Sequence, residues 1–178
     1  MILSEKDLED YICDNQKDFI KALKGIYGED KNIKFIGRQV RIGENNIADL
    51  VYYYDYEVSK DAPFIERNYI IVELKYRKLV AKDLAQISRY MSLLREKIYS
   101  ERKMLQRYES YVYGLFVSFG QDDLMQEIMI NFENSDIDFL TIKSNISFER
   151  EGWFHPDNYI ENLKLDKRIN DLYRGNNE

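Results

Sequence analysis

One cysteine (Cys13) and one histidine (His155) are all that this chain of 178 residues offers in thiolate or imidazole ligands. A lone cysteine cannot close an intrachain disulfide, so nothing argues for an oxidising compartment. The same scarcity excludes zinc sites built from several thiolate or imidazole groups of one chain. Any metal must be held mainly by oxygen, which suits magnesium or manganese. Long apolar runs are missing too: no segment approaches the ~18 residues of a membrane span, and the opening MILSEKDLED carries no secretory pattern. A cytoplasmic protein with no membrane partner is the expectation. Only two prolines, Pro63 and Pro156, punctuate the chain, and no repeat or low-complexity tract divides it. One domain over residues 1–155 is expected, followed by a C-terminal helix and tail over 156–178.

What is present is the composition of a globular protein, 44% apolar and 14% aromatic, with fifteen tyrosines against one tryptophan. The net charge of −6 does not advertise nucleic-acid binding. Charge is unevenly spread, however. Between Glu73 and Arg107 ten basic residues face four acids, so this segment is +6 and the remainder −12. A basic segment on an acidic body suits a phosphate-facing surface, and equally an ordinary solvated helix face.

Periodicity orders the elements. Ser4 is placed to cap a helix starting at Glu5, with Leu8, Tyr11, Ile12, Phe19, Leu23 and Ile26 at helical spacing and a break expected near Asn15. IKFIGRQVRI reads as a strand with Ile36, Val40 and Ile42 on one face and Phe35 and Gln39 on the other. GENN then turns the chain into IADLVYYYDYEV, and a polar turn around Ser59–Pro63 leads to YIIVELKY. Leu84, Ile87, Met91, Leu94 and Ile98 mark an amphipathic helix, YVYGLFVSFG a strand buried on both faces. A helix near Asp122–Phe132 and strands at Asp138–Lys143 and Ile146–Arg150 follow. The fold class implied is α/β (α+β), a mixed sheet with helices on its faces, in the order α-β-β-β-α-β-α-β.

One strand is anomalous. In YIIVELKY, Glu73 and Lys75 project from the same face as Ile71, while Ile70, Val72 and Leu74 project from the other. Burying a charge costs several kcal/mol without compensation. Asp49, on the same face of the preceding strand as Ile47 and Val51, is placed to meet Glu73. Two carboxylates together repel unless a divalent cation lies between them. Magnesium favours such a set: one or two carboxylates, a backbone carbonyl such as that of Leu74, water and a substrate phosphate. Lys75 is then placed to orient an attacking water, favour its hydroxide form or stabilise charge on phosphorus. Glu-x-Lys occurs three times in the chain, and only this copy lies in an apolar strand. An edge-strand ion pair facing solvent is the competing explanation.

LEDYI near the start, FIGRQV, IADLVYY, IIVELKYRK and LAQISRYM, in this order over about Leu8 to Met91, resemble the PD-(D/E)XK nuclease superfamily, of NucS-like and RecB-like flavour. The resemblance implies a restriction-endonuclease-like core. It matches Asp49 to the first metal-binding acid, although Ala48 replaces the proline of the motif, and Glu73 and Lys75 to the acid and lysine. Glu9 matches the helical glutamate that often completes the metal site, and Gln86 the glutamine of the following helix, with Tyr90 one turn on. Arg38 and Gln39 resemble the Arg-Gln pair of some branches.

The expected function is a magnesium- or manganese-dependent nuclease hydrolysing DNA phosphodiesters, with RNA left open. Asp49, Glu73, Lys75 and Gln86 form the catalytic set, and Glu9, Asp49, Glu73 and the Leu74 carbonyl the metal set. Arg38, Gln39, Arg77, Lys78, Lys82, Arg89 and Tyr90 are the nucleic-acid-facing candidates. The alternative is a non-catalytic nucleic-acid- or protein-binding module that keeps the nuclease fold, since fold alone does not fix activity. A domain this small has little room for target selection, so a homodimer or larger assembly is a further expectation. Asp136 and Asp138 are read as loop and strand-entry residues, His155 as structural, and Tyr52, Tyr53 and Tyr54 as packing on both sides of a strand, with stacking of one on a base as the alternative.

Overall fold

A computed structural model describes residues 4–57, 65–101, 110–131, 136–142 and 148–150. The first helical stretch is two helices, α1 (Glu5–Asp14) and α2 (Gln16–Tyr27). The Ser4 hydroxyl caps α1 by accepting the Asp7 N–H at 3.1 Å. The break expected near Asn15 is there: Asn15 leaves the helical region, and its side-chain amide donates to the Tyr11 carbonyl at 2.8 Å. Gly28, at φ 122°, ends α2 where a side chain would be strained. Leu8, Ile12, Phe19 and Leu23 are fully buried, so both helices lay one apolar stripe on the same face of the sheet.

Among the described residues the sheet has six strands in chain order: β1 (Lys34–Gly43), β2 (Asn46–Glu57), β3 (Ile65–Lys75), β4 (Val112–Ser118), β5 (Ile137–Ile142) and β6 (Phe148–Arg150). β1–β2–β3 are antiparallel, β3–β4–β5 parallel, and β6 returns antiparallel to β5. Each parallel step is made through a helix, α3 (Ala81–Glu101) between β3 and β4, and α4 (Asp123–Asn131) between β4 and β5. The mixed, helix-flanked architecture is the expected one. The split of the first helix and the short strand closing the far edge also match the break read near Asn15 and the strand read at Ile146–Arg150.

Alternation in the central strands divides the interior in two. Ile70, Val72, Leu74, Leu115 and Val117 meet α1 and α2, whereas Ile71 and Phe116 meet Leu84, Ile87 and Met91 of α3. Fully burying such side chains stabilises by about 1.5–3 kcal/mol each, so β3 and β4 anchor the molecule. α3 lies close over β4 because residue 114 is glycine: a Cβ there would stand 2.9 Å from both Ile87 Cδ1 and Met91 Sδ.

The parallel strands β3 and β4 end together, with Lys75 paired to Ser118. Their exit loops are tied by hydrogen bonds from the Leu79 N–H to the Gly120 carbonyl (2.9 Å) and from the Asp122 N–H to the Leu79 carbonyl (3.0 Å). The turn around Ser59–Pro63, Arg102, Lys103, Arg107, His155 and the C-terminal segment lie outside the described residues.

Candidate active site

At the C-terminal end of β3 the antiparallel ladder to β2 stops. The last pair is Leu50↔Val72, and beyond it the Asp49 carboxylate, rather than backbone, accepts the Leu74 N–H (Oδ2, 2.8 Å). Alternation along β2 slips here as well. Ala48 and Val51, three residues apart, both pack in the α3 layer, while Leu50 packs in the α1 layer. Asp49 therefore sits at an irregular point where two strands part, and its carboxylate is turned toward β3 instead of standing on a sheet face.

Glu73 and Lys75 point toward α3, as alternation requires, and are 2% and 8% exposed. Lys75 Nζ donates to Glu73 Oε1 at 2.7 Å, and Gln86 Nε2 of α3 donates to the same oxygen. Gln86 Nε2 also lies 3.1 Å from the Tyr90 hydroxyl one turn on. The other oxygen, Glu73 Oε2, is buried without a hydrogen-bond partner. An anionic oxygen out of water with no donor is costly, so this atom stands out from the satisfied groups around it.

The electrostatics follow from that burial. Desolvation, reinforced by the nearby Asp49 charge, pushes Glu73 up to about 7 against the opposing pull of Lys75. Desolvation also raises Asp49, opposed by the Leu74 N–H, the Lys75 charge and the Gln39 amide. For Lys75 burial works toward neutrality, but the Glu73 bond and charge outweigh it and the amine is held above its ordinary value. Lys75 therefore remains an ammonium between two carboxyl groups that hold their protons longer than usual.

A second set of contacts joins α1 to this point. Gln39 Nε2 donates to Glu9 Oε2 and, at 3.3 Å, to Asp49 Oδ1. Arg38 pairs with Asp10 at 2.7 Å and lies 3.7 Å from Glu9. Glu5, Lys6, Glu9, Asp10, Arg38, Gln39 and Asp49 line one open groove of about 400 Å3. The polar groups of Arg38 and Gln39, expected toward nucleic acid, are thus engaged by acids of α1 and by Asp49. Glu5 is a residue the sequence reading passed over. Its charge acts on Asp49, Glu73, Lys75 and Arg77 alike. The available signal was its position one helical turn before Glu9.

The basic candidates divide. Arg77 grips Asp83 with two bonds of 2.7 Å, and Asp83 also accepts the Val80 N–H at 2.9 Å. Burial raises Asp83, but the guanidinium and this N–H outweigh it and lower the carboxyl overall. Arg77 thus fixes the start of α3. Arg95 bonds the Val112 carbonyl and Asp136, so Asp136 is a strand-entry residue as read from the sequence. Lys78, Lys82 and Arg89 are exposed, and Lys82 and Arg89 stand about one helical turn from Gln86 along α3. Tyr52 and Tyr54 are buried, and Tyr53 lies under Arg67.

The donors here are hard oxygens, and the orphaned Glu73 Oε2 beside a second carboxylate fits a hard divalent cation better than a soft one. Among the described residues, however, no three His, Cys, Asp or Glu side chains gather into a metal-holding group. Glu9 in particular is linked to Asp49 through Gln39 rather than standing beside Glu73 in a common cluster.

No protein-family model matches the chain, and no curated protein matches it significantly. Among solved structures it is similar to the crystal structure of a repair endonuclease from Pyrococcus abyssi, at 20% identity over 80% of this chain and 48% of that one, with a TM-score of 0.47. It is also similar to an EndoMS-dsDNA2 complex, at 18% identity over 74% of this chain and 43% of that one, with a TM-score of 0.39. The chain therefore spans about half the length of the structures it matches, and at these identities the likeness concerns the fold alone.

Proposed function

We propose that this chain is a metal-dependent nuclease of the PD-(D/E)XK kind, hydrolysing DNA phosphodiester bonds at the point where β2 and β3 part. One observation carries the reading: a buried glutamate oxygen without a donor, next to a second carboxylate and an ammonium, at the end of β3 where its ladder to β2 stops. Among the described residues it is the one carboxylate oxygen left in that condition.

Asp49, Glu73 and the Leu74 carbonyl would hold magnesium or manganese. When bound, such an ion neutralises charge on the phosphate oxygens and counters the repulsion between Asp49 and Glu73. Lys75 remains cationic at neutral pH, and its ammonium is placed to orient a water and to balance the charge gathering on phosphorus during attack. Gln86 fixes the Glu73 carboxylate through Oε1, and Tyr90 steadies Gln86. Lys78, Lys82 and Arg89 are exposed and would meet phosphates of the substrate strand.

Purified protein with magnesium or manganese is expected to cut at least one DNA substrate among single-stranded, duplex and branched forms. Lys75→Ala should lower the cleavage rate by ~10²–10⁴. Undiminished cleavage by this variant on every substrate would remove Lys75 from the mechanism. The absence of a three-acid cluster among the described residues favours a second reading, a module that binds nucleic acid without cutting it. DNA binding retained in a protein that binds neither metal and cuts nothing would select that reading.

A further inference from the structure

Gln39 is the only non-glycine among the described residues with a positive φ, 50°. This left-handed region is uncommon for residues other than glycine, asparagine and aspartate, because Cβ crowds the following carbonyl. The residue sits inside edge strand β1, between the pairs Arg38↔Leu50 and Val40↔Ala48. A glycine there would satisfy the backbone at least cost. What glutamine adds is a side-chain amide long enough to reach two elements, and its Nε2 serves Glu9 of α1 and Asp49 of β2. Asp49 is thereby held at both oxygens, Oδ1 by Gln39 and Oδ2 by the Leu74 N–H.

Strain at a single residue, spent on two bonds to carboxylates of which one lies at the candidate active site, is the pattern of a preorganised centre and not of a turn. Neither bond makes Gln39 a group that would touch the reacting phosphate.

We propose that Gln39 is a positioning residue: its left-handed backbone drives the amide between Glu9 and Asp49, fixes the plane of the Asp49 carboxylate and sets α1 against the end of β3. The inference rests on the nuclease reading for its purpose but not for its test. Gln39→Gly removes the amide while relieving the backbone. Gln39→Asn keeps an amide and tolerates the left-handed region, but is one methylene too short for both contacts.

In metal-free protein, hydrogen exchange of the Leu74 amide should be faster in both variants, because an Asp49 free to rotate protects it less. Both should melt close to the parent, which a merely structural role would not allow. Manganese titration should show affinity about 10- to 100-fold lower, the usual loss when the support of a ligating carboxylate is removed. In the cleavage assay the loss should fall on kcat rather than KM. Unchanged Leu74 protection and manganese affinity in a folded variant would overturn the proposal. A parent protein that binds no manganese would sink the nuclease reading instead, and Leu74 exchange alone would then decide the positioning role.

Discussion

The same β2–β3 hairpin carries two ion pairs that could hardly be treated more differently. Toward its turn, Arg67 on β3 meets Asp55 on β2 across the ladder, both Asp55 oxygens are taken at 2.7 and 3.0 Å, and the pair is open to solvent. Its carboxyl is held below the ordinary range, the Arg67 bond outweighing burial. At the other end Glu73 and Lys75 follow one another on one strand, both buried, with one glutamate oxygen orphaned and the carboxyl pushed up to about 7. The first pair is what a sheet needs from charge. The second is held at a cost to the fold, and a group kept in that condition is a candidate for chemistry.

The sharpest way to test the contrast is to remove the charge of Glu73 while keeping its shape. Glu73→Gln should lower metal-dependent cleavage at least about 100-fold. In metal-free protein this change alone leaves the buried Lys75 ammonium without its carboxylate and should destabilise, whereas Glu73→Gln combined with Lys75→Met should melt at or above the parent. A double variant that melts well below the parent would mean that the pair is structural.

The pH dependence of metal-free stability should oppose that of the exposed pair. Folded Glu73 keeps its proton up to about 7, whereas the unfolded residue releases it near 4.5. Over that window the native state binds more protons, so stability falls as pH rises, by about 3 kcal/mol at most. Asp55 has the opposite sign, since its lowered carboxyl contributes above the unfolded value of 3.8 and the contribution is lost as pH falls through the folded value. Thermal melts in chelator at pH 5 and pH 8 should show the decline in the parent and a smaller one in Glu73→Gln. Equal slopes would place the titrating group elsewhere.

Period-two alternation made Glu73 and Lys75 legible, because a charge in a strand buried on both faces has nowhere neutral to point. The 3.6-residue period likewise placed Gln86 and Tyr90 on α3, one turn apart. What alternation could not show was its own failure: the slip at Asp49 and the left-handed Gln39 depend on strands parting, which is settled by tertiary packing. Long-range pairing was hidden for the same reason. Arg77 reads in sequence as part of a basic run, yet its partner Asp83 lies across the entry to α3, and the Arg95 partner Asp136 is 41 positions away. The basic segment is therefore less available to phosphates than its count suggests, although among its described residues Lys78, Lys82, Arg89 and Lys97 stand exposed. Lys82→Ala should weaken DNA binding a few-fold, evenly across sequences, and reduce the salt slope by about one.

The smallest effect belongs to the satisfied pair and serves as the control for all the others. Arg67→Ala removes two hydrogen bonds to Asp55 and a cation 4.6 Å above the Tyr53 ring. These contacts lie in water, where such a pair contributes about 1 kcal/mol or less and is screened by salt. The variant should lose that much in chemical denaturation, lose less still in high salt, and cleave at the parent rate. The two ends of the hairpin share eight cross-strand pairs, from Leu50↔Val72 to Glu57↔Ile65. If cleavage fell with Arg67, the ladder would be transmitting strain to Asp49, and the two ends would have to be treated as one unit.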